Sequence, residues 1–233
     1  MLKKLDLNTI ALAKEYNQKM VFSYLETNPR FEIGDWWKEE ELPFDLSQFG
    51  EFKTIAVEVG FGFGEFLFSN ALIEKETLFV GIEKYGEGLR KLIDRIKKTN
   101  INNIIPLCGD AYVIMQVFFA DKSTDKIYVN FPDPWPKKRH QKRRILTEEF
   151  FKLAERKLKD NGILYFATDD PVLMEFSQSE IKKVPELKNM CHPDKYLLNS
   201  PYRVRTRYEN KWIKEHKQLF YFVYGKIDAS HKI

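Results

Sequence analysis

Residues 54–64 read TIAVEVGFGFG. The apolar, β-branched run at 54–60 ends in glycine, which is the pattern of a strand buried inside a sheet. Gly60, Gly62 and Gly64 follow at a spacing of two. Glycine permits a tight turn and lets the backbone approach a ligand closely. The spacing is G-x-G-x-G, not the G-x-G-x-x-G of the dinucleotide fingerprint. Glu58 stands before the glycines and Glu65 after them. These acids would repel the pyrophosphate that a helix N-terminus otherwise attracts. The loop therefore suits a ligand with a cationic group.

Further along the chain, strand and helix patterns alternate. Helices are expected at 65–74 and 86–99, the second with Leu89, Leu92, Ile93 and Ile96 at helical spacing. Strands are expected at 77–83, 103–110 and 126–131, with a helix at 111–120. A helix at 147–158 has Thr147 as its N-cap and Gly162 just past its end. A strand at 162–169, a helix at 171–183 and a last strand at 218–225 complete the pattern. Such alternation predicts an α/β fold, a doubly wound and mostly parallel Rossmann-like sheet with helices on both faces. Residues 1–50 read as an N-terminal extension, with a helix near 9–25 and aromatics that pack on the core. Among these are Phe31, Trp36, Trp37, Phe44 and Phe49. Residues 51–233 read as one domain.

In such sheets ligands bind beyond the carboxyl ends of the strands. Those ends carry Glu58 with Gly60, Glu83, Asp110, Asn130 with Asp133, and Asp169. Glu83, 25 positions after Glu58, suits two ribose hydroxyls. Asp110 suits an adenine amino group. Adenosine without phosphates, joined to a positive head, describes S-adenosylmethionine.

Residues 130–144, NFPDPWPKKRHQKRR, join an acid in a proline-stiffened loop to a basic strip. Pro132 and Pro134 restrict the backbone around Asp133. Six of the eight residues from Lys137 to Arg144 are Lys or Arg, a density that suits RNA phosphates. Trp135 either stacks on a base or buttresses the loop.

These pieces, together with GIEKY, GDA, ATD and TRYE, resemble the bacterial tRNA (guanine-N7)-methyltransferase family over about two-thirds of the chain, residues 58–209. The resemblance implies methyl transfer from S-adenosylmethionine to N7 of a guanine in the tRNA variable loop. It implies that Glu58, Gly60, Glu83, Asp110, Ala111 and Asn130 line the cofactor and that Asp133 is the catalytic acid. Lys137, Asp169, Thr206, Arg207, Tyr208 and Glu209 would meet the substrate. Asp169 and Glu209 would accept from guanine N1 and N2. Lys138, Arg139, Lys142, Arg143 and Arg144 would contact phosphates, with Arg203 and Arg205 adding charge nearby. One departure stands out: no glycine separates Glu209 from the last strand, which leaves that loop's conformation open.

Bulk properties narrow the alternatives. At 233 residues, 43% hydrophobic and 31% charged, the chain is globular, and its net charge of +4 alone does not announce nucleic acid. Two cysteines and four scattered histidines offer no metal-ligand spacing, so no metal is expected. No leader or membrane span is read, so a cytoplasmic protein acting on tRNA is expected. It needs no protein partner and works as a monomer or homodimer. Rival readings are an amino-group methyltransferase, since NFPD loosely resembles an N-P-P-[YF] loop, and a non-catalytic RNA-binding protein of the same fold. A nicotinamide-dependent oxidoreductase is disfavoured by the glycine spacing.

Overall fold

The computed structural model describes residues 43, 46–191, 193–202 and 204–226. The expected helix near 9–25, Phe31, Trp36, Trp37, Phe44 and Arg203 lie outside the described residues. The chain divides into two compact units at Ala120 and Asp121. Their strands and helices alternate as a mostly parallel, Rossmann-like α/β sheet.

The first unit holds strands β1 (Thr54–Val59), β2 (Thr77–Glu83) and β3 (Ile104–Cys108), all parallel, in the order β3-β2-β1. Every residue of β2 and β3 is buried, as a parallel sheet covered on both faces requires. Helices α1 (Glu65–Ile73), α2 (Gly86–Thr99) and α3 (Ala111–Phe118) follow the strands. Leu89, Leu92, Ile93 and Ile96 form the buried stripe of α2, as their spacing predicts. Asn103 ties the sheet's lower edge together. Its buried amide donates to the carbonyls of Ala71, Glu74 and Thr77. Leu46 and Phe49 line an apolar pocket with Val80, Leu107, Phe118 and Phe119, so this part of the leading segment packs on the sheet.

The second unit holds β4 (Thr124–Asn130), β5 (Leu158–Thr168), β6 (Leu187–Asn189) and β7 (Phe220–Lys226). β4 and β5 are parallel, and β7 runs antiparallel between β5 and β6. Helices α4 (Glu148–Lys157), α5 (Pro171–Ile181) and α6 (Arg207–Lys214) complete it. The Thr147 hydroxyl caps α4 by accepting from Phe150 N, and Asp170 caps α5 by accepting from Leu173 N. Gly162 does not end α4. The helix stops at Lys157, Leu158 is already extended, and pairing jumps from Thr124–Leu158 to Lys126–Ile163. Gly162 lies within the intervening bulge, where a Cβ would come within 2.9 Å of the Lys159 carbonyl. Among the described residues one strand and one α-helix escaped the sequence reading, β6 and α6. Among the described residues no helix is long and apolar enough to cross a membrane.

Candidate active site

The glycine loop leaves β1 in the first unit. Gly60, Gly62 and Gly64 have φ of 71°, 56° and 70°, left-handed values that glycine adopts without strain. Gly60 N donates to Ile82 O at 2.8 Å, which seats the loop on β2. The Glu83 carboxylate fixes the next turn. Its Oε2 accepts from Gly62 N at 2.7 Å, while Oε1 accepts from Lys84 N and Tyr85 N at 2.7 and 3.0 Å. An ionised carboxylate offers about four acceptor positions, so one remains for a ligand hydroxyl. A Cβ placed on Gly60 or Gly62 would meet nothing within 4 Å, whereas one on Gly88 would lie 2.0 Å from the Gly62 carbonyl oxygen. The loop is therefore open on one side and pressed against the first turn of α2 on the other.

Glu58, at the end of β1, is 3% exposed. Asp110 caps α3 with Oδ1, which accepts from Tyr112 N and Val113 N, leaving Oδ2 outside the cap. Ala111 opens that helix and is half-buried. Burial, and behind it the charge of Glu83, pushes the Cys108 thiol up. The open glycines and the partly committed carboxylates fit a ligand with hydroxyls and a cationic group, and give no seat to phosphate.

In the second unit Asn130 ends β4, and Phe131 N donates to Ala167 O at 2.9 Å. Phe131 and Trp135 have φ of 49° and 44°. Bulky side chains adopt this left-handed conformation at a cost of order 1–3 kcal/mol each, and such strain gathers at functional sites. The two bracket Pro132-Asp133-Pro134, and the Asp133 side chain is exposed. Trp135 buttresses this loop, with the Arg143 guanidinium 4.9 Å from its ring centre and the His140 ring edge-on at 5.8 Å.

The basic strip forms a 3-10 helix, Lys138–Arg143. Lys137, Lys138, Arg139, Lys142 and Arg143 are exposed. Arg144 departs from the phosphate-contact expectation. It is 5% exposed, donates through Nε to the Pro134 carbonyl at 2.9 Å, and lies 4.7 Å over the Phe176 ring. A guanidinium buried this way cannot reach a phosphate; it holds the loop that carries Asp133.

The segment 206–209 is the start of α6 rather than a loop. Thr206 and Glu209 form a capping box, with Thr206 N donating to Glu209 Oε2 at 2.7 Å and Glu209 N to Thr206 Oγ1 at 3.1 Å. Glu209 is 1% exposed, and its Oε1 accepts from Tyr221 OH at 3.0 Å. Burial and these bonds commit Glu209 to the capping box and to Tyr221. Glu209→Ala is expected to lower stability by about 2 kcal/mol, the sum of a lost cap and an orphaned buried hydroxyl. Thermal unfolding of the variant checks it, and an unchanged Tm would refute it.

Arg207 is exposed on α6. Tyr208 OH donates to Asp169 Oδ2 at 3.1 Å, and its ring packs on Phe131 at 5.1 Å. Burial pushes the Tyr208 phenol up to about 12, and the charges of Asp169 and Asp133 add to the shift. Lys217 Nζ also donates to Asp169 Oδ2, and stands 4.0 Å over the Trp212 ring. The missing glycine is replaced by His216, whose φ of 54° supplies the left-handed turn after α6. Lys217, Trp212 and Arg144's hold on Pro134 were not read from sequence. The T-x-x-E box at 206–209 was the one available signal for this corner.

A family model described as "Putative methyltransferase" matches residues 53–222. The tRNA (guanine-N(7)-)-methyltransferase of Halalkalibacterium halodurans is 34% identical over 172 residues, covering 74% of this chain and 78% of that protein. The enzyme of the same name from Thermotoga maritima is 37% identical over 187 residues, covering 80% of this chain and 58% of that one. Among solved structures, the aminoglycoside resistance methyltransferase NpmB1 superposes with a TM-score of 0.55 at 17% identity, covering 82% of this chain and 95% of that one, which is a likeness of fold. By the extent of these matches, the chain belongs to the tRNA (guanine-N7)-methyltransferase family.

Proposed function

We propose that the chain methylates N7 of a guanine in the tRNA variable loop, giving 7-methylguanosine, with S-adenosylmethionine as methyl donor. The observation that carries this reading is Asp133, an exposed acid in a strained Pro-Asp-Pro loop that runs straight into exposed cations. Bound S-adenosylmethionine supplies an electrophilic sulfonium methyl. Glu58, Gly60, Glu83, Asp110, Ala111 and Asn130 hold it in this reading. The open face of Gly60 and Gly62 supports that assignment.

Guanine N7 carries an in-plane lone pair and no proton, so the reaction needs no general base. The ring gains positive charge as the methyl arrives. The Asp133 carboxylate offsets that charge and orients the base. Lys137, Asp169, Thr206, Arg207 and Tyr208 form the substrate side, with Glu209 holding the segment's shape from beneath. Residues 51–233 form the catalytic domain in this reading. It works in the cytoplasm on tRNA, as a monomer or homodimer, with no protein partner required.

The direct test incubates the protein with labelled S-adenosylmethionine and unfractionated tRNA and identifies the product nucleoside. 7-Methylguanosine is expected. A methylated amino group would move the chain to a different reaction, and no product with intact cofactor binding would favour a binding protein. The exposed strip makes a second prediction. Replacing Lys142 and Arg143 with alanine should weaken tRNA binding and flatten the slope of log K against log salt by about 1.5, since each phosphate contact contributes about 0.7–0.9. Adding Arg144→Ala should leave the slope where the double variant put it. An unaltered slope in the double variant would remove the phosphate contacts from the proposal.

A further inference from the structure

We infer that Lys217 reads the O6 atom of the target guanine beside Asp169, as a specificity-determining residue. The inference rests on the proposed guanine methylation. Asp169 Oδ2 already accepts from both Tyr208 OH and Lys217 Nζ, which leaves Oδ1 as the free acceptor face. The lysine side chain is 38% exposed and the aspartate 14%. Lys217 is not a loose surface cation. Its backbone N–H donates to Trp212 O at 2.9 Å, the left-handed His216 turns the chain just before it, and its ammonium is held 4.0 Å over the Trp212 ring. An ammonium carries three donors, so one bond to Asp169 does not exhaust it.

The pair thus presents a carboxylate acceptor next to an ammonium donor. Guanine presents the complement, an N1–H donor next to the O6 acceptor. Adenine reverses both, with an N6 amino donor next to an N1 lone pair. The same pair would set ammonium against amino group and carboxylate against lone pair, a rejection built from repulsion as well as lost bonds. A partly exposed ion pair contributes little to stability, so the ordering of Lys217 by an aromatic ring and a fixed turn calls for another role. An ammonium at O6 does not favour the positive charge that develops on the ring. Its contribution should therefore fall on recognition rather than on rate.

The test compares wild type, Lys217→Met and Lys217→Arg on two tRNA transcripts. One carries guanosine at the target position; the other carries 6-thioguanosine, which keeps N1–H, N2 and N7 but weakens the acceptor at position 6. The N7-methyl nucleoside is quantified. Lys217→Met is expected to raise KM for the guanosine transcript at least tenfold with kcat changed less than threefold. It should also shrink the guanosine-to-6-thioguanosine preference in kcat/KM at least fivefold, while Lys217→Arg keeps most of it. A purely structural role would lower both substrates alike and leave that ratio unchanged, and this would overturn the inference. If Lys217→Met does not fold, Lys217→Leu, which also removes the donor, takes its place and the same ratio decides. Failure of wild type to form 7-methylguanosine on the guanosine transcript would instead overturn the proposed reaction.

Discussion

Asp133→Ala is expected to lower methyl transfer at least about a hundredfold, the scale of losing one preorganised electrostatic group at a reacting centre. Cofactor affinity should stay within about threefold of wild type, because in the proposed mechanism Asp133 faces the base. The side chain is exposed and takes part in no hydrogen bond or ion pair among the described residues. Its removal therefore leaves no orphaned partner, and the fold should keep its Tm. Its charge nevertheless reaches the Tyr208 phenol, so it stands in the field of the substrate-side residues. Asp133→Asn separates two roles, since the amide keeps an acceptor oxygen and loses the charge. A large loss with asparagine would assign the effect to charge, and a small one to orientation. Single-turnover rates and calorimetric titration of S-adenosylmethionine measure both quantities. Turnover that survives in Asp133→Ala, with cofactor affinity lost, would move Asp133 from the base to the cofactor.

The fold was legible where one local pattern governed. β2 and α2 match their expected bounds because an all-apolar run between polar residues and a four-residue helical stripe leave no other reading. Gly162 misled because α4 passes into β5 without a left-handed cap, and the glycine serves a bulge decided by pairing with β4. α6 was missed although Thr206 and Glu209 spell a capping box, because the TRYE motif drew the reading toward substrate contact. At the site, residue types were readable but their commitments were not. Arg143 and Arg144 are equivalent cations in sequence. Only the packing of Phe176 and the Pro134 carbonyl makes one of them internal. Glu83 was expected at a ribose, and nothing local showed that it also holds the amide of Gly62, 21 residues earlier. His216 shows the reverse case, in which a departure in sequence leaves the backbone turn intact.

Gly88→Ala should weaken S-adenosylmethionine binding by about a hundredfold, although no atom of Gly88 belongs to the proposed binding set. The new Cβ would lie 2.0 Å from the Gly62 carbonyl oxygen and 2.9 Å from its carbon. Both obstacles are backbone, so no side chain can swing aside. α2 is anchored by buried Leu89, Leu92, Ile93 and Ile96, which makes the glycine loop the part that yields. Overpacking of this kind costs about 1–3 kcal/mol. Displacing the Gly62 peptide also strains its 2.7 Å bond to Glu83, a charge-assisted bond whose net contribution is about 1.5–3 kcal/mol. A combined loss near 3 kcal/mol at the cofactor seat corresponds to roughly two decades in Kd. Gly225→Ala is the matched control. Its Cβ would meet only the flexible end of Met190, with Sδ at 3.1 Å, so Kd should hold. Calorimetry and thermal unfolding of both variants decide the matter. A lowered Tm with wild-type Kd in Gly88→Ala would mean that the close approach serves the fold alone and that the cofactor does not rest on the glycine loop.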